Sequence, residues 1–161
     1  MNYWLFKTDP QTFSLDDFRK CENGITSWEG VRNFQARNFL RDLIRKGDLV
    51  LFYHSVVKPP CVTAVARVVR DGYPDHFALD PSSRYHDSRS TPENPVWFMV
   101  DIQLVSELPE PVTLDSMKDN PALQEMMLLK KGCRLSVQPV SDEHFKVVLA
   151  MGGVRPRVES L

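Results

Sequence analysis

The residues best suited to ligand chemistry cluster in one segment, Ser27–Leu40, with the sequence SWEGVRNFQARNFL. Trp28 stands two residues before Gly30 and just ahead of a predicted helix, so its ring is expected to project from a turn. The same segment contains amide and guanidinium groups that suit the edge of a nucleobase. These groups belong to Arg32, Asn33, Gln35, Arg37 and Asn38. The segment therefore predicts one wall of a pocket for a flat polar ligand, best interpreted as a nucleobase.

Each of these residues also has a purely structural interpretation. Trp28 can be ordinary core, because most tryptophans are largely buried. Asn33 is a favoured residue at the start of a helix, and Gln35 is readily tolerated on a helix surface. The sequence alone leaves the structural and the functional interpretation open for all three.

Three arginines, Arg32, Arg37 and Arg41, are candidate phosphate contacts. Arg37, Arg41 and Arg45 recur every four residues, so they are expected to line one face of a helix. Such a face can contact phosphates beside a pocket, or it can simply be solvated.

Further candidate ligand contacts come from predicted strand ends and from a long loop. Polar side chains at a strand end emerge at the rim of a barrel, and a loop aromatic can stack on a base. The candidates are Lys7, Gly30, Tyr53, His54, Ser55, Tyr85, Trp97, Ser136 and Gln138. Each has a structural alternative, such as a loop anchor, an edge residue or a core side chain.

Catalysis is weakly indicated. His54 lies next to Ser55, but neighbouring residues on an extended chain point to opposite faces. The chain has no GxSxG turn, and no carboxylate is identifiable as the group that would orient the histidine. We therefore predict a protein that is not an enzyme, with a hydrolase using His54 or Cys61 as the open alternative.

Composition limits the kind of partner. The 161 residues include 20 Lys and Arg against 21 Asp and Glu, a net charge of −1. A broad basic groove for nucleic acid is therefore not expected, and recognition must come from a local pocket with a few phosphate contacts. The 3 cysteines lack CxxC spacing and the 4 histidines lack metal-ligand spacing, so no metal or other cofactor is expected.

The pattern of elements predicts an α+β fold, with strands closing into a small barrel flanked by helices. The predicted strands cover residues 2–7, 49–53, 62–70, 96–105 and 134–140. Helices are predicted after Ser14, over 33–46 and after Ser141, with broken helical turns over 114–129 and Pro121 starting one of them. Residues 73–95 form a polar loop and a candidate lid.

We expect one domain over residues 1–153 and a loose tail over 154–161. No apolar run is long enough to span a membrane, and the N-terminus does not resemble a leader. The sequence therefore predicts a monomer in the cytoplasm, or in the nucleus of a eukaryote.

Several segments together resemble the EVE domain family: YWLFKTDP, SWEGVRNFQARNFL, GDLVLFYHS, KPP, ENPVWFMVDI and RLSVQPVS follow in the family's order. The resemblance implies a PUA-like mixed β-barrel of about five to six strands, related to the YTH domain, which holds a modified base in an aromatic cage. In that comparison Trp28 resembles the first cage tryptophan. Lys7 matches the lysine that ends the first strand, and Ser136 falls where a polar residue contacts the base.

The leading hypothesis is a nucleic-acid reader that holds a flipped base, such as methylated or hydroxymethylated cytosine in DNA, in an aromatic and polar pocket. Phe34 stands where many family members have Tyr, which removes one hydroxyl. The alternatives are an RNA-binding module, an enzyme acting on modified nucleotides, and a binder of free nucleosides.

Overall fold

Six strands form one mixed sheet, which confirms the predicted α+β class. The computed structural model describes residues 1–154, so the predicted tail lies outside the described residues except for Val154. The strands are β1 (Tyr3–Thr8), β2 (Ile25–Ser27), β3 (Leu49–His54), β4 (Cys61–Pro74), β5 (Phe98–Thr113) and β6 (Val137–Val140). Their order is β2-β5-β4-β3-β1-β6, with β1 parallel to β3 and the other neighbours antiparallel.

The sheet curls strongly enough to bring its distant strands together. Trp28 follows β2 at one edge of the strand order, yet its ring centroid lies 5.2 Å from that of Phe6 on β1. Both rings belong to the core enclosed by the concave face, where Trp4 and Phe52 also pack. Leu5 points to a second core on the other face, as expected for alternating side chains of a strand.

Short helices cover the two faces of the sheet. They are α1 (Leu15–Lys20), α2 (Phe34–Asn38), α3 (Leu114–Lys118) and α4 (Asp142–Met151), with a π-helical turn at Phe39–Leu43. The predicted helix after Ser14 begins with a capping box between Ser14 and Asp17, and Ser141 accepts a hydrogen bond from the His144 N–H. Pro121 begins a 3-10 turn, Pro121–Leu123, as predicted. No helix among residues 1–154 combines the length and the apolar character needed to cross a bilayer.

Four predicted elements have the wrong length. β4 extends to Pro74 instead of ending at residue 70, and β6 begins at Val137 instead of residue 134. The helix predicted over 33–46 stops at Leu43, because Ile44 turns into extended conformation and buries its side chain completely. Arg45 therefore lies off the helix, and the predicted face of three arginines does not form. β5 continues past residue 105 to Thr113 because the residues 108–111, which include two prolines, bulge opposite Thr63 and leave the ladder.

His54 connects the end of β3 to the first turn of α1. Its Nε2 accepts a hydrogen bond from the Leu15 N–H at 3.1 Å, so the neutral ring is required. Burial lowers the pKa of His54 below its usual 6.5. The unfolded chain therefore takes up a proton first as the pH falls through 6.5, and the folded state loses stability until the lowered pKa is passed.

We predict that His54→Gln removes part of this acid sensitivity, because the Gln carbonyl is an acceptor that does not titrate. Urea unfolding at about pH 7.5 and at about pH 5, one above and one below the usual pKa of histidine, measures the change in the free energy of unfolding. His86→Gln, at an exposed position, is the control. An equal loss of stability in the wild type and His54→Gln would contradict the prediction.

Candidate functional site

A cavity of about 430 Å³ opens beside the ends of β1 and β2. This volume is in the range of small-molecule sites. The lining of the cavity includes six residues that the sequence predicts as ligand or phosphate contacts: Lys7, Trp28, Gly30, Arg32, Tyr85 and Ser136. The cavity therefore brings together residues from the first strand, the segment after β2, the long loop and the approach to β6.

Trp28 is both a core residue and a wall of the cavity. Its side chain is 8% exposed, and its ring meets those of Phe6, Phe13 and Phe52 at centroid distances of 5.2, 6.1 and 6.0 Å. Removing the ring would therefore open a hole in the core, which costs roughly 3–5 kcal/mol for a buried Trp→Ala change. A Trp28→Ala variant would lose stability as well as one wall of the cavity, so substitutions at other positions are better tests of ligand binding.

The Trp28 indole N–H forms no hydrogen bond with any residue in the described part of the chain, 1–154. The other two indoles are paired: Trp4 donates to Asp48 Oδ2 at 3.0 Å and Trp97 donates to Asp87 Oδ2 at 2.8 Å. Within residues 1–154, Thr63 Oγ1 is the one fully buried polar side-chain atom without a partner. The Trp28 N–H therefore keeps some access to solvent and is available to a ligand.

Lys7 and Ser136 add two more available donors to the cavity. Burial lowers the pKa of Lys7, partly offset by the nearby Cys133. No residue of the described chain accepts a hydrogen bond from the Lys7 ammonium or pairs with it, and the Ser136 hydroxyl is likewise unpaired within 1–154. The backbone holds these two residues together, because the Lys7 N–H donates to the Ser136 carbonyl at 2.8 Å.

A buried carboxylate, Asp75, fixes the wall that follows Trp28. Its Oδ2 accepts from the Gly30 N–H at 2.9 Å and from Arg32 Nη1 at 3.0 Å, and its side chain is completely buried. Arg32 in turn donates through Nη2 to the Tyr85 carbonyl at 2.7 Å. Arg32 thus joins the segment after Trp28 to the loop predicted as a lid. Sequence inspection missed Asp75; the signal was an Asp in position to cap the 3-10 turn His76–Leu79, which it does through the Phe77 N–H.

Tyr85 lies directly on the backbone of Gly30. A Cβ at position 30 would sit 2.5 Å from Tyr85 Cε1, and Gly30 has a φ of +84°, so two constraints require glycine there. The Tyr85 hydroxyl also accepts a hydrogen bond from Arg84 at 3.0 Å. The loop therefore supplies a fixed aromatic wall that lies against the segment containing Trp28.

Arg84 is a rim residue that the sequence interpretation did not single out. It reaches the Thr12 hydroxyl at 3.4 Å and its guanidinium lies 4.9 Å from the centre of the Tyr85 ring. Within residues 1–154 it has no carboxylate partner. Asp9 and Glu29, also not singled out, bring two carboxylates to the cavity lining.

Other predicted contacts from α2 lie outside this cavity. The Asn33 side chain caps α2 by accepting from the Ala36 N–H at 3.0 Å, and Gln35 is exposed. Asn38 accepts from Arg37 Nε at 2.9 Å. Arg37 also donates to the Val96 carbonyl at 2.7 Å. These residues do not line the pocket in which they were expected. A ligand contact by them elsewhere stays a prediction.

Arg41 is also outside the cavity and pairs with its neighbour Asp42 at 2.8 Å on the surface. Because that pair is well exposed, it stabilises the fold little and leaves Arg41 able to exchange its partner. A phosphate contact by Arg41 remains a prediction.

Three expected pocket residues are buried outside this cavity, and their placement in the pocket is corrected. Tyr53 points into the core on the opposite face of the sheet, where burial raises its pKa to about 12. Gln138 is buried and donates to the Leu135 carbonyl at 2.8 Å. Trp97 stacks on Phe34 at 4.8 Å and lines a neighbouring cavity rather than this one.

The His54 and Ser55 side chains have structural partners and do not line the cavity. His54 accepts from Leu15, and Ser55 Oγ donates to the Thr8 carbonyl at 3.3 Å. The cysteines are free, and burial raises the pKa of the Cys61 thiol. Across residues 1–154, no three His, Cys, Asp or Glu side chains are grouped to hold a metal ion. The expectation that no cofactor is needed stays a prediction.

Comparison with known proteins decides the family. A family model described as the EVE domain matches residues 2–151. The chain belongs to the EVE domain family. Thymocyte nuclear protein 1 of Gallus gallus is 37% identical to this EVE domain, over 96% of this chain and 70% of that protein.

Solved structures share the fold of this EVE domain. A hypothetical protein from Leishmania major has a TM-score of 0.88 and 43% identity, covering 95% of each chain. Human THYN1 protein, solved in complex with DNA that contains 5-methylcytosine, has a TM-score of 0.88 and 33% identity, covering 94% of this chain and 98% of that one. These likenesses confirm the predicted family and the α+β, PUA-like fold.

We predict that Gly30→Ala destabilises the protein more than Gly47→Ala. Both glycines have positive φ, at +84° and +99°, but a Cβ at Gly47 meets nothing within 4 Å, whereas one at Gly30 meets Tyr85. Both variants carry the backbone strain, which is roughly 1–2 kcal/mol. Gly30→Ala carries the displacement of Tyr85 in addition.

Denaturant unfolding measures the difference, and the Tyr85→Ala background isolates its cause. In the Tyr85→Ala background, Gly30→Ala and Gly47→Ala should reduce the free energy of unfolding equally, since the contact with the Tyr85 ring is absent. Equal effects in the wild-type background would contradict a close Tyr85 wall.

Proposed function

We propose that this EVE domain is a non-enzymatic reader of modified DNA that holds a flipped base, such as methylated or hydroxymethylated cytosine, in the cavity beside Trp28. The observation that carries the proposal is the set of three unpaired donors in one aromatic-walled cavity: the Lys7 ammonium, the Trp28 indole and the Ser136 hydroxyl. The 5-methylcytosine DNA in the human THYN1 structure supports the choice of ligand.

The chemistry of the cavity complements the edge of cytosine. The O2 and N3 atoms of cytosine accept hydrogen bonds, which Lys7, Trp28 and Ser136 can donate. Its exocyclic amine donates, and the Asp9 and Glu29 carboxylates are acceptors suited to it. Trp28 and Tyr85 provide aromatic surface, and stacking on a base contributes roughly 1–3 kcal/mol.

Flipping a base out of a duplex costs a few kcal/mol, so contacts outside the cavity must help to offset it. Arg84 at the rim has no carboxylate partner within residues 1–154 and is available to a phosphate. Because the net charge of the chain is −1, such local contacts matter more here than a general electrostatic field. Arg37 and Arg41 are farther candidates for the same role.

The proposal of a reader without catalysis rests on the contacts of the candidate catalytic groups. The His54 Nε2 lone pair already accepts a backbone hydrogen bond, so it is not free to act as a base toward Ser55. Burial favours the neutral Cys61 thiol over the nucleophilic thiolate. Neither group lines the cavity. The names of the vertebrate relatives support a nuclear location where the host is a eukaryote.

We predict that Lys7→Met weakens binding of a 5-methylcytosine oligonucleotide by about tenfold or more, since a hydrogen bond from a charged group contributes roughly 1.5–3 kcal/mol. The same change should leave the melting temperature unchanged or raise it, because it removes a half-buried charge that has no partner in residues 1–154. Loss of binding without loss of stability separates a ligand contact from a structural role.

Fluorescence anisotropy with methylated, hydroxymethylated and unmodified DNA, and with matched RNA, measures the binding. Lys118→Met, on exposed α3, is the control for loss of one surface charge. Tighter binding of the RNA set would favour the RNA-binding alternative. Equal affinity of the wild type and Lys7→Met for the methylated DNA would contradict the proposed role of this cavity.

A further inference from the structure

A second cavity of about 260 Å³ adjoins the first and shares Arg32, Arg84 and Tyr85 with it. Tyr85 is therefore a partition with one cavity on each side. Phe34, Arg89 and Trp97 belong to the second cavity alone. A ligand chain that enters the first cavity at its Arg84 rim would continue directly along the second.

The floor of this second cavity is an aromatic pair with one ring exposed. Phe34 is 50% exposed and stacks on Trp97 with centroids 4.8 Å apart and planes 23° from parallel. Trp97 is itself buried and held by its hydrogen bond to Asp87. Phe34 therefore presents a supported flat surface, rather than a side chain that could fold away.

Arginines surround the exposed ring. The guanidinium carbons of Arg37 and Arg89 lie 5.0 and 6.0 Å from the Phe34 centroid. Arg89 pairs with Asp87 at 2.7 Å, and the hydrogen bonds from Arg89 and Trp97 hold the pKa of Asp87 well below its usual range. Arg84, without a carboxylate partner among residues 1–154, leaves the cavity lining with an excess of positive charge.

An exposed aromatic surface flanked by arginines is the arrangement that binds an unpaired nucleotide, through base stacking and phosphate contacts. We propose that Phe34 stacks on the base adjacent to the modified base, in a DNA strand that is unpaired at that position, with Arg84 and Arg89 contacting the phosphate backbone. This inference rests on the proposed function, because it needs the modified base in the first cavity. It assigns to Phe34 the role of binding the flanking nucleotide.

The test compares an oligonucleotide with a single nucleoside. Phe34→Leu keeps an apolar contact with Trp97 but removes the ring, so binding of a 5-methylcytosine oligonucleotide should weaken by about tenfold. Binding of 5-methyl-2′-deoxycytidine, read by melting shift, should stay unchanged, since the nucleoside occupies only the first cavity. Phe34→Tyr keeps the ring and should retain the affinity of the wild type.

An abasic substitution on each side of the modified base identifies the contact. At the flank that stacks on Phe34, the abasic oligonucleotide should bind the wild type and Phe34→Leu equally. Leu43→Ala, which trims another exposed apolar side chain away from both cavities, is the control and should bind as the wild type does.

The outcomes separate the two proposals. If the wild type shows no preference for methylated DNA, the proposed function fails and this inference fails with it. If the wild type prefers methylated DNA but Phe34→Leu binds it equally well, only the flanking contact is overturned. An equal loss of oligonucleotide and nucleoside binding in Phe34→Leu would also overturn it, because Phe34 would then act through the first cavity.

Discussion

The candidate site depends on one buried interaction, between the Asp75 carboxylate, the Gly30 N–H and the Arg32 guanidinium. Removing one partner of a buried ion pair costs roughly 3–5 kcal/mol, because the other charge is left without compensation. Arg32 also bonds the Tyr85 carbonyl, so the same interaction fixes the long loop against the segment after β2. Without it, the segment after Trp28 would lose its connection to the Tyr85 wall, whereas the Trp28 ring itself is held by the core.

The cavity contains polar side-chain groups that form no hydrogen bond within residues 1–154. Lys7, Trp28 and Ser136 each have a donor without a partner among residues 1–154, whereas among the fully buried polar side-chain atoms of the same residues Thr63 Oγ1 alone lacks one. Partial burial of an unpaired ammonium opposes stability, as the lowered pKa of Lys7 indicates. A ligand that accepts these hydrogen bonds would relieve this cost, which favours the cavity over the surface of α2 as the ligand site.

Local signals predicted much of the fold. The helix after Ser14, the turn that begins at Pro121 and the first part of β5 depend on neighbours in the sequence, and all appear in the structure. The predicted end of the helix over 33–46 was wrong because burial of Ile44 is a tertiary effect that overrides helical spacing. The continuation of β5 past its prolines depends on a bulge opposite β4, which only the pairing partner determines.

The site was predicted only in part, because local sequence signals do not show which distant residues pair. Trp28 and Lys7 were accessible from sequence pattern and family resemblance, whereas Asp75 reaches Gly30 across 45 positions of the chain. Gln138 was placed beside Ser136 by assuming an uninterrupted strand, but β6 begins at Val137, so strand alternation does not extend to Ser136. Tyr53 follows the inward-facing Phe52 and therefore points to the opposite core.

Entry of the modified base into the cavity is tested most directly by following the indole N–H resonances of the three tryptophans by ¹H–¹⁵N NMR while 5-methylcytosine DNA is added. Trp28 lines the cavity and its indole N–H is unpaired within residues 1–154, so its resonance should shift as binding saturates. The Trp4 N–H is buried on Asp48 and should stay in place. Saturable binding of the DNA with an unmoved Trp28 resonance would contradict the claim that the base enters this cavity.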